Sequence, residues 1–595
     1  MSRDVIFRDE AVEFNEFDRE FGEFLLRYAR ISSVELKLAG MLLTRELRNG
    51  RTKLDLNEYS GKPVPRLDDN TLLTAPEFAG WKEKLTDPAL KELISPAGED
   101  DGRSLLLFVD EHTLMLRRYV NYERDVAALL TLRRKFNENI VCDFESNGDW
   151  VQDLAVFTAL NSSLTILTGG PGTGKTTVCG RIIREILLRE PDKKILFAAP
   201  TGKAQQRLAA QISESAELLD KDTEAYRAMK AIEGATIHSF WYNRLWRTKL
   251  SFCDLLIVDE CSMIPLELFS ELLKLLPPEC ALILAGDRRQ LPPVESGTVF
   301  ADLCCSGKSN ALLLAANDIF NIRYGGAAEV AADGDFSGFI VELQTNYRSA
   351  SAPTICRLAE LLRDESADID DTVSEIVNSQ GEDYIFRSLD KETRQENIRT
   401  KCRVFAELPA LCASGKAEDI ERALKLSESF HFLCAVNRGE LGCGNVNKLV
   451  LDELGLTPEY TGAWKPGTIL LVKVNDYQIG LRNGDIGIVT SELDDDGNRR
   501  IFCRFHSKPE RRLAVSDLPE HECGFAISIH KAQGSGYKEA VVILPGYNSA
   551  VLQRKLIYTG ITRAAESLEL WGTPGEVRFA LEQDETSSVN LFRRT

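Results

Sequence analysis

Residues 164–177, "LTILTGGPGTGKTT", decide how the middle of this chain folds. The first half is a continuous apolar run that ends in glycine, the pattern of a strand covered on both faces. The second half is Gly169-x-x-x-x-Gly174-Lys175-Thr176, a complete Walker A pattern, and "VCGRIIREILLRE" follows it as a helix. Glycines let the backbone curl so that successive N–H groups face phosphate oxygens, and the helix N-terminus adds partial positive charge. Lys175 is placed to reach the β- and γ-phosphates of ATP, and the Thr176 hydroxyl to ligate Mg2+. The expected cradle is Gly169, Gly170, Pro171, Gly172, Thr173, Gly174, Lys175, Thr176 and Thr177.

Three further runs, "KILFAAP", "LLIVDE" and "ALILAGD", alternate with helical stretches. Such runs predict a parallel sheet, whose working groups sit at the carboxyl ends of its strands. Two strand ends carry chemistry. In "LLIVDECSM", Asp259 is expected to hold Mg2+ and Glu260 to orient or deprotonate the attacking water. In "ILAGDRRQLPPVESG", Gln290 follows Gly286-Asp287 as a neutral amide able to sense the γ-phosphate. Arg348 in "LQTNYRS" and Arg563 in "LIYTGITRAAESL" are candidates for arginine fingers donated from a second domain.

Beyond residue 380 a second α/β pattern appears in "FHFLCAV", "GFAISIH", "AVVILP" and "SLELWG". Between the first two lie short β-rich runs with Asn483-Gly484 and Asp496-Gly497 turn signals, which predict a small β-barrel inserted at about 462–520. The acidic stretch 363–383 reads as a mobile insertion. Residues 1–125 read as mainly helical, with a short strand or two before a helix in "RSLLLFVDEHTLMLRRYVNYERDVAALL" (103–130) and no catalytic motif, and are assigned to docking or structure. Residues 126–335 and 336–595 are then two α/β domains. The formal charge of −19 argues against a nucleic-acid binder on composition alone, but a local basic groove can exist on an acidic protein. The 14 cysteines include no C-x-x-C pair and no secretory pattern opens the chain, which points to a reducing cytoplasm. No apolar run approaches the roughly 20 residues that span a bilayer.

The ordered set "GGPGTGKTT", "APTGKAQQRL", "ATIHSF", "LLIVDECSM", "LAGDRRQLPPVESG", "LQTNYRS", "SIHKAQGS" and "YTGITRA" resembles the motif series of superfamily 1 DNA helicases of the 5′→3′ group. Within that group it most resembles the RecD family, the alpha subunits of exodeoxyribonuclease V. "FLCAVNRGELGCGNVNKLV", "NDYQIGLRNGDIGIV" and "LPEHE" are further RecD-like phrases, and the resemblance spans roughly residues 120–575.

The resemblance implies two RecA-like domains, ATP-driven 5′→3′ translocation on single-stranded DNA, duplex-end substrates and a role in double-strand break repair. It implies RecB-like and RecC-like partners, a RecC-like surface for the N-terminal domain and a nuclease in the RecB-like chain. By position, Gln152 matches the adenine-reading Q motif, while Thr201, Gly202, Lys203, Thr236 and His238 match segments that contact the DNA backbone. Trp241, Tyr242 and Trp246 are either base-stacking or core aromatics. In "SIHKAQGSGYKEAVVILPG" (528–546) the resemblance implies that Ser528 and His530 face DNA and that Gln533 and Gly534 lie at the interdomain seam. Many family members carry an acid where this chain has Gly536, and Glu539 stands nearby. Two alternatives stay open: a stand-alone RecD-like helicase, which the missing helix-hairpin-helix signature in 1–140 disfavours, and an architectural subunit with a vestigial ATPase.

Overall fold

The computed structural model describes residues 14–65, 72–100, 102–293, 295–331, 335–347, 351–458, 463–476, 478–549 and 551–583. Six strands form the first parallel sheet: β1 (Leu164–Gly169), β2 (Ile195–Ala199), β3 (Glu233–Thr236), β4 (Leu255–Val258), β5 (Ala281–Gly286) and β6 (Ile340–Leu343). Their order is β6-β1-β5-β4-β2-β3. Alternate residues of these strands feed two different apolar clusters. Leu164, Ile166, Leu256, Val258, Leu282 and Leu284 enter one, and Leu167, Leu255, Ile257, Ile283 and Ala285 enter the other. Burial on both faces is why the central strands β2, β4 and β5 are apolar along their whole length rather than at every second position.

A second parallel sheet comes later in the chain, with β7 (Tyr384–Ser388), β8 (Phe430–Cys434), β9 (Ala526–Ser528), β10 (Tyr537–Ile543) and β11 (Ala564–Gly572) in the order β7-β11-β10-β8-β9. Five helices carry side chains that meet near the strand ends: α1 (Trp150–Asn161), α2 (Lys175–Arg189), α3 (Gly202–Ala216), α4 (Pro353–Arg363) and α5 (Arg554–Ile561). The chain is thus an α/β protein with two parallel sheets.

Four expectations change in detail. The first sheet takes β6 from beyond residue 335, because that strand pairs in parallel with β1, with Glu342 opposite Thr168. The acidic stretch 363–383 contains an ordered helix, Ile369–Asn378, with Thr372, Val373 and Ile376 buried beneath its charges. The N-terminal region carries helices Glu16–Ala29 and Val34–Arg48 but also a four-stranded mixed sheet of Lys53–Asp55, Thr113–Leu116, Leu106–Phe108 and Ile94–Ser95. Leu106–Phe108 and Thr113–Leu116 fall where a short strand or two is expected before a helix, whereas Lys53–Asp55 and Ile94–Ser95 are too short to show an alternation and pass for helix or loop in the sequence. The β-rich insertion forms a five-stranded antiparallel ladder whose last strand, His521–Cys523, lies past residue 520.

Arg394 anchors the second sheet's helices. It is fully buried, pairs with Glu576 at 2.5 Å and donates to Leu544 O at 2.8 Å, while the Gly546 amide donates to Glu576 at 2.7 Å. Removing one member of a buried pair strands the other charge. Arg394→Met is therefore expected to destabilise this part of the chain by about 3–5 kcal/mol, read as a lower urea midpoint in the fluorescence of buried Trp571. An unchanged midpoint would contradict this.

Candidate active site

The phosphate loop leaves the end of β1 and re-enters as α2. Gly172 and Gly174 take φ of 81° and 84°, a region that a side chain strains, and Gly174 caps α2. Thr173 Oγ1 donates to Gly170 O at 2.8 Å and tightens the loop. The Lys175 ammonium donates to the carbonyls of Gly169 (2.7 Å) and Gly170 (3.2 Å), so it already lies along the loop. Thr176 is half-buried at the first turn of α2, and Thr177 is exposed.

Gln152 stands behind the loop. Its Nε2 donates to Thr173 O at 3.5 Å and its Oε1 accepts from Asn147 at 2.7 Å. Asp149 caps α1 through the amides of Val151 and Gln152. It also accepts the Tyr347 hydroxyl at 2.8 Å, while the Tyr347 amide donates to Gly172 O at 2.9 Å. Burial raises the Tyr347 phenol, and Asp149 adds to this, to about 12. Burial also pushes the Asp149 carboxyl up, but the bonds from Tyr347 and the helix amides outweigh it and leave it lowered. Tyr347 sits within the "LQTNYRS" motif, yet only the fold shows it against the loop.

Asp259 and Glu260 follow β4. Asp259 is buried, and burial together with the Glu260 charge raises its carboxyl to about 6. Glu260 takes a left-handed φ of 53°, uncommon for a residue with a side chain, and its amide donates to Asp259 at 2.8 Å. Its Oε2 is buried with no protein hydrogen-bond partner. A buried acceptor of this kind calls for a donor or cation from outside the protein. Asp259 and Thr176 offer hard oxygen donors, so the residues present fit Mg2+.

Asp287, after β5, is buried and accepts the Tyr558 hydroxyl of α5 at 2.7 Å. Gln290 Nε2 lies 3.4 Å from the same carboxylate, and its Oε1 is buried without a partner. Leu291 N donates to Thr559 Oγ1 at 2.9 Å, and Gln533 Nε2 donates to Leu291 O at 2.9 Å. Three contacts from the second sheet's segments thus grip one loop of the first. Arg563 is buried nearby, its guanidinium on Thr559 O (3.0 Å) and Ser535 O (3.1 Å). Burial lowers its pKa, while Glu260 and Asp287 act in the opposite direction. Arg348 lies outside the described residues.

Of the remaining candidates, Thr201, Gly202 and Lys203 lie where segments of the two halves meet again. Thr201 caps α3 by accepting from Ala204 N at 3.2 Å. Lys203 Nζ stands 5.3 Å over the Tyr537 ring. A Cβ on Gly534 (φ 70°) would lie in ordinary contact with Thr201 Oγ1, at 3.7 Å, so the two segments meet here. Arg482, from the antiparallel insertion, donates to Gln205 at 2.5 Å and packs on Gly202. His238 is exposed, and His530 is partly buried, which lowers its pKa. Thr236 bonds to Ser239 at 2.8 Å and Ser528 accepts from Lys531 N at 3.3 Å, both buried. Trp241 and Trp246 pack on the core, whereas Tyr242 is 81% exposed and is the one of the three free to stack.

A phosphate loop with an adjacent acidic pair, closed by a second parallel sheet, is the layout of a nucleotide-driven motor. Residues 152–296 match the AAA domain family, and residues 524–570 match the UvrD-like helicase C-terminal domain. The RecBCD enzyme subunit RecD of Mycolicibacterium smegmatis is 30% identical over 95% of this chain and 94% of its own length. RecD of Haemophilus influenzae is 31% identical over 74% of this chain and 71% of its own. The ATP-dependent RecD2 DNA helicase of Deinococcus radiodurans is 26% identical over 72% of this chain but only 50% of its own. The protein is an ATP-dependent DNA helicase. Within that class the chain belongs to the RecD family of RecBCD enzyme subunits.

No helix among the described residues is long and apolar enough to cross a membrane.

Two outcomes are expected. Because the Asp259 carboxyl is raised to about 6, it is ionised above that pH and protonated below it, and cation binding displaces the proton. Affinity for Mg·nucleotide is expected to rise from pH 5.5 to 7 and then level off in calorimetric titrations. A flat profile would count against Asp259. At Gly536 a Cβ meets only Arg563 O, at 3.9 Å. Gly536→Glu is expected to keep ATPase activity within a few-fold, and a collapse of activity would show a need for glycine.

Proposed function

We propose that this chain is the 5′→3′ motor of a RecBCD-type heterotrimer, acting with RecB-like and RecC-like subunits at duplex DNA ends in break repair. Residues 1–125 form the partner-docking domain, 126–335 together with β6 the first RecA-like domain and the rest of 336–595 the second, with the antiparallel insertion as the small barrel. Exposed Phe17, Phe24 and Tyr28 lie along one helix of the N-terminal region and support docking there. Relatives named RecD match over most of their length, whereas RecD2 matches over half, which supports the subunit over the stand-alone helicase.

One observation carries the mechanism: the loop from Asp287 to Leu291 is held by Tyr558, Thr559 and Gln533 of the opposite sheet. ATP lies on the phosphate loop, with Gln152 and Tyr347 at its base end. Asp259 and Thr176 would hold Mg2+, which supplies charge neutralisation to the phosphates when bound. Lys175 swings from its loop carbonyls to the β- and γ-phosphates, and its backbone cradle positions them. Glu260 Oε2 takes the proton of the attacking water. Gln290 senses the terminal phosphate, while Arg563 and Arg348 stabilise its developing charge. Loss of that phosphate alters the grip on the 287–291 loop. The change passes through Gln533 and Gly534 to Thr201, Gly202 and Lys203, which hold the strand together with Thr236, His238, Ser528 and His530. Alternating grip on these two sets moves the strand.

In the assembled complex, Lys175→Gln is expected to lower DNA-stimulated ATP turnover about a hundredfold or more. It should also abolish unwinding that starts from a 5′-tailed strand, measured beside a 3′-tailed control. Undiminished turnover would make this site idle, and unwinding from the 3′ tail alone would reverse the polarity.

A further inference from the structure

Arg363 ends α4 and lies outside every motif that marks the site. Its guanidinium nevertheless reaches the phosphate loop. Nη1 stands 3.2 Å from the point a Cβ on Gly170 would occupy, and the Tyr558 hydroxyl stands 3.3 Å from the same point. Glycine at 170 is what leaves room for both. Nη2 donates to Glu342 Oε1 at 2.9 Å, and the other oxygen of Glu342 takes Arg288 at 3.2 Å. Glu342 is fixed on β6 opposite Thr168, just ahead of the loop. One carboxylate is therefore shared by two guanidiniums, and the Arg363 side chain keeps 20% of its surface exposed. A cleft of about 260 Å³ opens beside it.

The position relative to Lys175 indicates which phosphate this group would meet. The Lys175 ammonium rests on the carbonyls of Gly169 and Gly170, on the strand side of the loop, and it serves the β- and γ-phosphates. Arg363 stands against Gly170, one of the two residues whose carbonyls hold that ammonium. We infer that Arg363 is a further catalytic arginine of this site, one that binds the terminal phosphate of the nucleoside triphosphate, and that Glu342 holds it ready in the nucleotide-free chain. This rests on the phosphate loop being the ATP site. No covalent bond changes: the guanidinium exchanges part of a shared carboxylate for a phosphate oxygen, whose geometry suits its planar fork. Because α4 packs against α5, which carries Tyr558 and leads to Arg563, the exchange also draws the second sheet's helices toward the nucleotide.

The test is displacement of fluorescent mant-ADP from the full chain by ADP and by ATPγS. Arg363→Ala is expected to weaken ATPγS about tenfold or more and to leave ADP within about twofold. Arg363→Lys, which keeps the charge without the fork, is expected to recover part of the loss. Glu342→Gln is expected to keep ATPγS at least as tight as in the wild type. Equal weakening of ADP and ATPγS in Arg363→Ala would overturn the inference. So would no weakening of either, or a selective ATPγS loss in Glu342→Gln matching that of Arg363→Ala. Lys175→Ala is the separate control: if it binds both nucleotides as the wild type does, the phosphate-loop reading itself fails.

Discussion

A single buried hydrogen bond, from the Tyr558 hydroxyl to the Asp287 carboxylate, fixes how the two sheets face each other. A carboxylate this enclosed must be satisfied: Arg289 N of its own loop donates to one oxygen at 3.0 Å, and the opposite sheet's helix supplies the Tyr558 hydroxyl to the other. Leu291 and Thr559 form the neighbouring contact, and Gln533 closes a third on the same loop. Gln290 is left with a buried oxygen that no protein group satisfies. The loop therefore cannot move without disturbing α5, and α5 cannot move without disturbing the loop.

The strand ends explain why the phosphate loop and the residues proposed to contact DNA lie along one seam. In parallel sheets the carboxyl ends all lie on one edge. The phosphate loop, Thr201, Asp259 and Asp287 follow β1, β2, β4 and β5, while Thr236 ends β3 and Ser528 ends β9. Gly534 meeting Thr201, and Lys203 lying over Tyr537, are the far counterpart of the contact between Asp287 and Tyr558. The net charge of −19 is no obstacle, because Lys203 and Arg482 sit together at this edge.

Much of this was legible in the sequence, for a physical reason. The phosphate loop and the acidic pair are local: glycine conformations, a helix N-terminus and a strand end fix them within a dozen residues. The all-apolar strands announced a sheet buried on both faces. What stayed hidden depends on distant partners. Nothing near Ile340–Leu343 shows that this strand pairs with β1. Tyr347 and Tyr558 lie inside recognisable motifs, yet their roles come from Asp149 and Asp287 in other segments. Arg363 lies in a stretch with no pattern and Arg482 inside a RecD-like phrase beside a turn signal, yet only packing brings them to Gly170 and Gly202. Of the short N-terminal strands, those at 106–108 and 113–116 showed as apolar runs, while Lys53–Asp55 and Ile94–Ser95 stayed hidden because two or three residues carry no period.

Coupling through the seam is best measured as a linkage. Single-stranded DNA affinity is determined with and without a non-hydrolysable ATP analogue, and analogue affinity with and without DNA. If the 287–291 loop joins the two sites, each ligand changes the other's affinity by the same factor. Gln533→Ala and Thr559→Val should then bring that factor toward one while each ligand still binds alone. Affinities that are independent in the wild-type chain, or a factor untouched by both substitutions, would refute coupling through this loop.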